Sequence, residues 1–132
     1  MRFIGIDFGR ARIGVALGDT ETKISSPWRV LENGGDADAI ASLVQIAKEE
    51  RADGFVIGIP RPLGDQTRET DQAKEIRAFG HKLAEAGLPV HEADETLTSA
   101  LAERQVAEMG GRGKRDDLAA AAILQGYLDR SF

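Results

Sequence analysis

Phe3-Ile4-Gly5-Ile6-Asp7-Phe8-Gly9-Arg10 is the stretch on which the fold turns. An apolar run starts at Phe3 and stops on an acid. It breaks at Asp7-Phe8-Gly9-Arg10, and Ile13-Gly14-Val15-Ala16-Leu17 then resumes as a second strand, so the opening reads as a hairpin with Asp7 where strand becomes turn. Trp28, Val30 and Leu31 after Pro27 predict a third strand, ended by Asn33-Gly34-Gly35-Asp36. Asp36 or Asp38 is placed to cap a helix whose Ile40, Leu43, Val44 and Ala47 share one face.

Further along, Gly54-Phe55-Val56-Ile57-Gly58-Ile59-Pro60 is short and wholly apolar, as expected of a central strand covered on both faces. The spacing of Ala73, Ile76, Phe79 or Gly80, and Leu83 predicts a helix over 70–86, with Gly87 as its stop. Leu88 to Ala93 is the next strand, with Pro89 near its start, and it delivers Asp94-Glu95 to its far end. A helix is expected from Leu97 to Met109, then a loop at Gly110-Gly111-Arg112-Gly113. The last helix, Asp116 to Leu128, is apolar nearly all round and should be well buried. The order β-β-β-α-β-α-β-α-α implies an α/β fold, a mixed five-stranded sheet flanked by helices. No repeat or linker divides the chain, so one domain over residues 1–132 is expected.

The 132 residues suffice for one core without cross-links. With no cysteine, thiolate metal sites and cysteine nucleophiles are excluded, and the chemistry must come from oxygen and nitrogen groups. The N-terminus carries no leader pattern and no stretch long enough to span a bilayer, so a cytoplasmic location and no membrane partner are expected. A net charge of −5 argues against coating nucleic acid by charge alone. A carboxylate site that binds divalent cations fits that charge, since it is acidic without its metal and attracts phosphate once loaded.

Three acidic positions end or begin elements: Asp7, Asp94 or Glu95, and Asp116 beside Asp117. If the first and fourth strands are neighbours and the fifth lies beside the fourth, these acids converge at one edge of the sheet. That set suits Mg2+ or Mn2+, and two such ions can activate water and stabilise the leaving oxygen of a phosphodiester. Acids also collect at turns and caps for purely structural reasons. Asp7 differs, because an acid directly after Ile4-Gly5-Ile6 and before Gly9 is more buried than a turn needs, and burial without a cation is costly. Arg10 and Arg12 flank the first turn, and Arg112, Lys114 and Arg115 precede Asp116, where they are placed to hold phosphate. Thr98 and Ser99 read as turn or cap residues. His81 and His91 show no metal or dyad spacing, and Trp28 and Phe55 are expected in the core.

Gly5-Ile6-Asp7-Phe8-Gly9 with Arg12-Ile13-Gly14-Val15-Ala16, then Ile57-Gly58-Ile59-Pro60, Asp94-Glu95 with Leu97-Thr98-Ser99, Lys114-Arg115-Asp116 with Ala119-Ala120, and Ile123 to Leu128 together resemble the YqgF (RuvX) family over nearly the whole chain. The resemblance implies an RNase H-like fold related to Holliday-junction resolvases. It also implies a metal-dependent nuclease that processes the 5′ end of pre-16S rRNA, or else resolves branched DNA. By that resemblance Asp7, Glu95 and Asp116 are the metal-binding, catalytic acids, and the partner is structured RNA or branched DNA bound by a monomer or homodimer. Two stretches depart from the family pattern. Asp94-Glu95 is followed by Thr96 where the family carries arginine, and Arg61-Pro62-Leu63-Gly64-Asp65-Gln66 replaces a Met and a glycine pair.

Among rival classes, the opening motif also resembles the first phosphate motif of actin-like ATPases and sugar kinases. Those proteins close two domains over the nucleotide, and this length supplies one. Glycines at 5, 9 and 14 lack dinucleotide-site spacing and feed a strand, not a helix. A binding module of the same fold that has lost turnover is the remaining rival, and Thr96 is the feature that favours it.

Overall fold

The computed structural model describes residues 1–60, 70–94 and 116–131. Strands β1 (Arg2–Phe8), β2 (Arg12–Asp19), β3 (Ile24–Glu32), β4 (Gly54–Ile59) and β5 (Val90–Asp94) form one sheet in the order β3-β2-β1-β4-β5. The first three are antiparallel, whereas β4 and β5 run parallel to β1. The expected mixed sheet is therefore present, with β1 at its centre and β5 beside β4.

Alternation along the strands sorts the side chains onto two faces. Ile4, Ile6, Phe8, Ile13, Val15, Phe55, Ile57 and Ile59 point to one side, where helices α1 (Asp36–Glu50) and α2 (Asp71–Ala84) cover them. Phe3, Ala16, Val56 and Ala93 point to the other, against Ala120, Ile123, Leu124 and Leu128 of helix α3 (Asp116–Ser131). This double cover explains why β4 is apolar at every position, since neither of its faces meets water. Helix α3 is buried along an unbroken run from Asp116 to Leu124, as its composition predicts. It packs against all five strands.

The α3 face of the sheet is lined by small residues, which lets the helix approach the backbone. A Cβ on Gly5 would fall 2.8 Å from the Ala120 carbonyl oxygen, and one on Gly58 2.5 Å from the Ile123 Cδ1. His91 takes a ring position on this face, edge-on to Phe3 at 5.7 Å and stacked on Tyr127 at 5.5 Å, which agrees with a structural role. Among the described residues, no helix is long and apolar enough to cross a membrane.

Several details differ from the sequence expectation. Trp28 is not in the core: it is 40% exposed. Val15 pairs with Arg29 and Ala16 with Pro27, so Trp28 is the extra residue of a bulge in an edge strand, swung out under the Arg29 guanidinium 5.1 Å away. Phe55 is fully buried as expected. Strand β3 begins at Ile24, before Pro27, because an edge strand tolerates proline's missing donor. Neither Asp36 nor Asp38 caps α1; Gly35 holds that position at φ 115°, and both acids lie inside the first turn, where the helix dipole favours them. The buried stripe of α1 is Ala39, Leu43, Ile46 and Ala47, a small rotation from the predicted one that leaves Ile40 and Val44 at the margin.

In α2 the predicted face is the observed one, with Ala73, Ile76, Phe79, Gly80 and Leu83 all buried. Thr70 caps it, its hydroxyl accepting from the Ala73 N–H at 3.1 Å. An exposed ion pair, Lys82 Nζ to Asp36 at 2.7 Å, joins α2 to α1, and that hydrogen bond holds the Lys82 ammonium above its ordinary range. The expected helix over 97–109 and the loop at 110–113 lie outside the described residues, as does the loop at 61–66.

Candidate functional site

Asp7 occupies the next-to-last position of β1. The alternation that sends Phe3 and Gly5 toward α3 sends Asp7 the same way. Its antiparallel partner is Gly14 of β2, and paired Cα atoms across such strands lie about 5 Å apart. Gly14 carries the first residue of α3 directly above it: a Cβ at position 14 would overlap the Asp116 carbonyl group and crowd the Asp117 nitrogen. Only a glycine permits this approach. Asp7 and Asp116, 109 residues apart in sequence, are thus set at the same end of the sheet by one hydrogen-bonded strand pair and one missing side chain.

Both acids are 9% exposed, and Asp117 is 8% exposed. Three carboxylates withdrawn from water at one end of a sheet is an arrangement that needs positive charge. Part of it is supplied by α3 itself, whose N-terminal dipole faces Asp116 and Asp117, and Asp117 further accepts the Leu118 N–H at 3.1 Å. Arg12 contributes as well, its Nε lying 3.0 Å from the Asp116 carboxylate. Arg12 sits two residues before Gly14 and so projects from β2 onto the α3 face.

The β1–β2 turn that carries Arg10 and Arg12 is pinned by Asn33, whose Nδ2 donates to the Gly9 carbonyl at 2.8 Å while its backbone N–H donates to the Ala11 carbonyl. Arg10 turns away from the acids toward α2, where it donates to Glu75 at 3.0 and 3.2 Å. That hydrogen bond, reinforced by the carboxylate charge, raises the Arg10 guanidinium above the usual arginine range. A cleft of about 370 Å³ lies there, lined by Phe8, Gly9, Arg10, Gln72, Glu75 and Ile76. The structure therefore separates the two arginines: Arg12 faces the acids, and Arg10 edges a neighbouring cleft.

Of the acids singled out in the sequence, Asp7 and Asp116 are brought together, while Asp94 closes β5 opposite Ile59. Glu95, Lys114 and Arg115 lie outside the described residues, as do Thr98 and Ser99. Among the described residues no three acids or histidines form a cluster able to hold a metal by themselves. The donors that are present fit a hard divalent cation: they are carboxylate oxygens, withdrawn from water and drawn from separate elements. Two features went unread in the sequence. Glu75 as partner of Arg10 left no signal, being 65 residues away. Gly14 as the seat of α3 left a faint one, since a glycine inside a strand marks close backbone approach.

A central β1 flanked by an antiparallel hairpin and parallel strands, with an acid at its end and a long helix across the face, defines an RNase H-like protein with a carboxylate-bearing site. Over residues 1–130 the chain matches the model of the family described as RuvX: Holliday junction resolvase, and it belongs to that family. Curated relatives include a protein of Anaeromyxobacter sp. (strain Fw109-5) at 38% identity, covering 98% of this chain and 97% of the relative, and one of Streptococcus sanguinis (strain SK36) at 37%, covering all of both. Each is named "Putative pre-16S rRNA nuclease". Among solved structures, Thermus thermophilus RuvC in complex with a Holliday junction superposes with a TM-score of 0.63 at 16% identity, covering 99% of this chain and 96% of that one. The Fowlpox virus resolvase with its Holliday junction DNA gives 0.56 at 11%, covering 98% and 97%. The fold is shared with these resolvases.

Proposed function

We propose that this chain is a divalent-metal-dependent nuclease that hydrolyses phosphodiester bonds in structured RNA, processing the 5′ end of pre-16S rRNA in the cytoplasm. The observation that carries the reading is the convergence of buried Asp7 and Asp116 at one end of the sheet, over Gly14. In this proposal a single domain over residues 1–132 holds Mg2+ or Mn2+ through Asp7, Asp116 and Glu95. Glu95 is included as the third ligand on the strength of the family resemblance carried by Asp94-Glu95. The names of the full-length relatives support RNA as substrate.

When bound, such ions supply a nucleophile from water at neutral pH and stabilise charge on the departing oxygen. The chain's own residues do the rest. Asp7 and Asp116 fix the donor oxygens on a rigid strand and a buried helix start. Arg12 meets the phosphates on the α3 side and Arg10 from the cleft beside α2, and Lys114 and Arg115, next to Asp116 in sequence, add to phosphate binding. The acidic net charge makes this recognition local to the site.

Resolution of four-way DNA junctions is the second reading, favoured by the family's description and by the fold shared with junction-bound resolvases. Purified protein incubated with Mg2+ or Mn2+ and either a pre-16S 5′ precursor or a synthetic four-way junction separates the two. Cleavage of the RNA alone, lost in Asp7→Asn, is the expected result. Cleavage of the junction alone would replace the substrate, and cleavage of neither would leave a binding module of the same fold, as Thr96 in place of the family arginine favours.

A further inference from the structure

We propose that Arg12 is a built-in counter-cation of the site, a positioning residue that neutralises Asp116 while the site holds no metal and is displaced when a divalent cation enters. This rests on the reading of Asp7 and Asp116 as cation ligands. Three observations carry it. The Arg12 Nε lies 3.0 Å from Oδ2 of Asp116, occupying a carboxylate oxygen that would otherwise be open to a cation. The two partners are unequal: the Asp116 side chain is 12% exposed and that of Arg12 59%, so the carboxylate is fixed and the guanidinium has room to leave. Asp7, Asp116 and Asp117 are all buried, and Arg12 is directly opposed to one of these carboxylates.

The geometry gives the bridge two consequences. Without metal, it stabilises the folded chain, because breaking it leaves a buried carboxylate uncompensated. With metal, the same guanidinium is a competitor, since a unit positive charge beside a ligand oxygen repels a divalent ion. Displacement leaves the Arg12 donors exposed at the rim of the site, where a substrate phosphate can take the place of Asp116. Loading of the site and presentation of a phosphate-binding group become one event.

Calorimetric titration with Mn2+ of the wild-type protein, Arg12→Gln and Arg12→Lys tests this, together with thermal melts of each in chelator and at saturating Mn2+. Arg12→Gln should bind Mn2+ at least about tenfold more tightly, as expected for removal of a partly screened unit charge. Arg12→Lys keeps the charge and should return the affinity toward wild type. In chelator Arg12→Gln should melt below wild type, and saturating Mn2+ should remove or reverse that difference. Unchanged or weaker Mn2+ affinity in Arg12→Gln, or an equal melting deficit with and without Mn2+, would overturn the counter-cation role and make the bridge merely structural. Absence of Mn2+ binding by the wild-type protein would instead overturn the underlying reading of the acids, and the inference with it.

Discussion

At position 14 the chain tolerates no side chain, and this single constraint ties stability to chemistry. Gly14→Ala would drive a methyl group into the Asp116 backbone, so α3 must lift at its start. Overpacking of this kind costs about 1–3 kcal/mol, which urea denaturation will read as a lower midpoint with an unchanged slope. Because the displaced residue is Asp116, cation affinity should fall alongside stability. A variant that loses stability yet binds Mn2+ as wild type does would detach Asp116 from the site. Residue by residue, the sequence reveals the acids in proportion to how abnormal their surroundings are. Asp7 is legible because it ends an apolar run where a solvated turn has no need of one. Asp116 and Asp117 are adjacent and both buried, and it is only the count back from Ile123-Leu124 in the family resemblance that favours Asp116. Arg10 and Arg12 look equivalent as two cations of one turn, and only the fold turns one to Glu75 and the other to Asp116.

Elements are legible where burial imposes a period. The fully apolar β4, the stripe of α2 and the continuous burial of α3 all follow from helix and strand spacing, because each packs against a full layer on the side concerned. Periodicity says less about β3, an edge strand in which a bulge expels Trp28, and less about α1, where two overlapping stripes share Leu43 and Ala47. The helix starts also differ in kind: α2 uses a threonine hydroxyl, and α1 a glycine at positive φ with no side-chain bond. Thr70→Ala should therefore destabilise the protein by about 1 kcal/mol, measurable as a shift of the urea midpoint, with cation binding untouched because α2 lies on the face away from Asp7. No measurable shift would mean that tertiary packing, not the cap, sets where α2 begins.

For the whole molecule, the topology does what no single element can. Placing β1 between an antiparallel hairpin and the parallel pair β4–β5 sets the end of β1 beside the start of α3, so acids from opposite ends of the chain share one edge of the sheet. The family membership extends over residues 1–130, so both ends of this arrangement lie within it. The central claim is that Asp7 is a cation ligand and not a buried turn residue. Its most direct test is Mn2+ titration of wild type against Asp7→Asn, an isosteric change that removes the charge, with the fold of each followed by circular dichroism. The account predicts saturable binding by wild type and at least a tenfold loss in a folded Asp7→Asn. Equal affinity in the two proteins would contradict it.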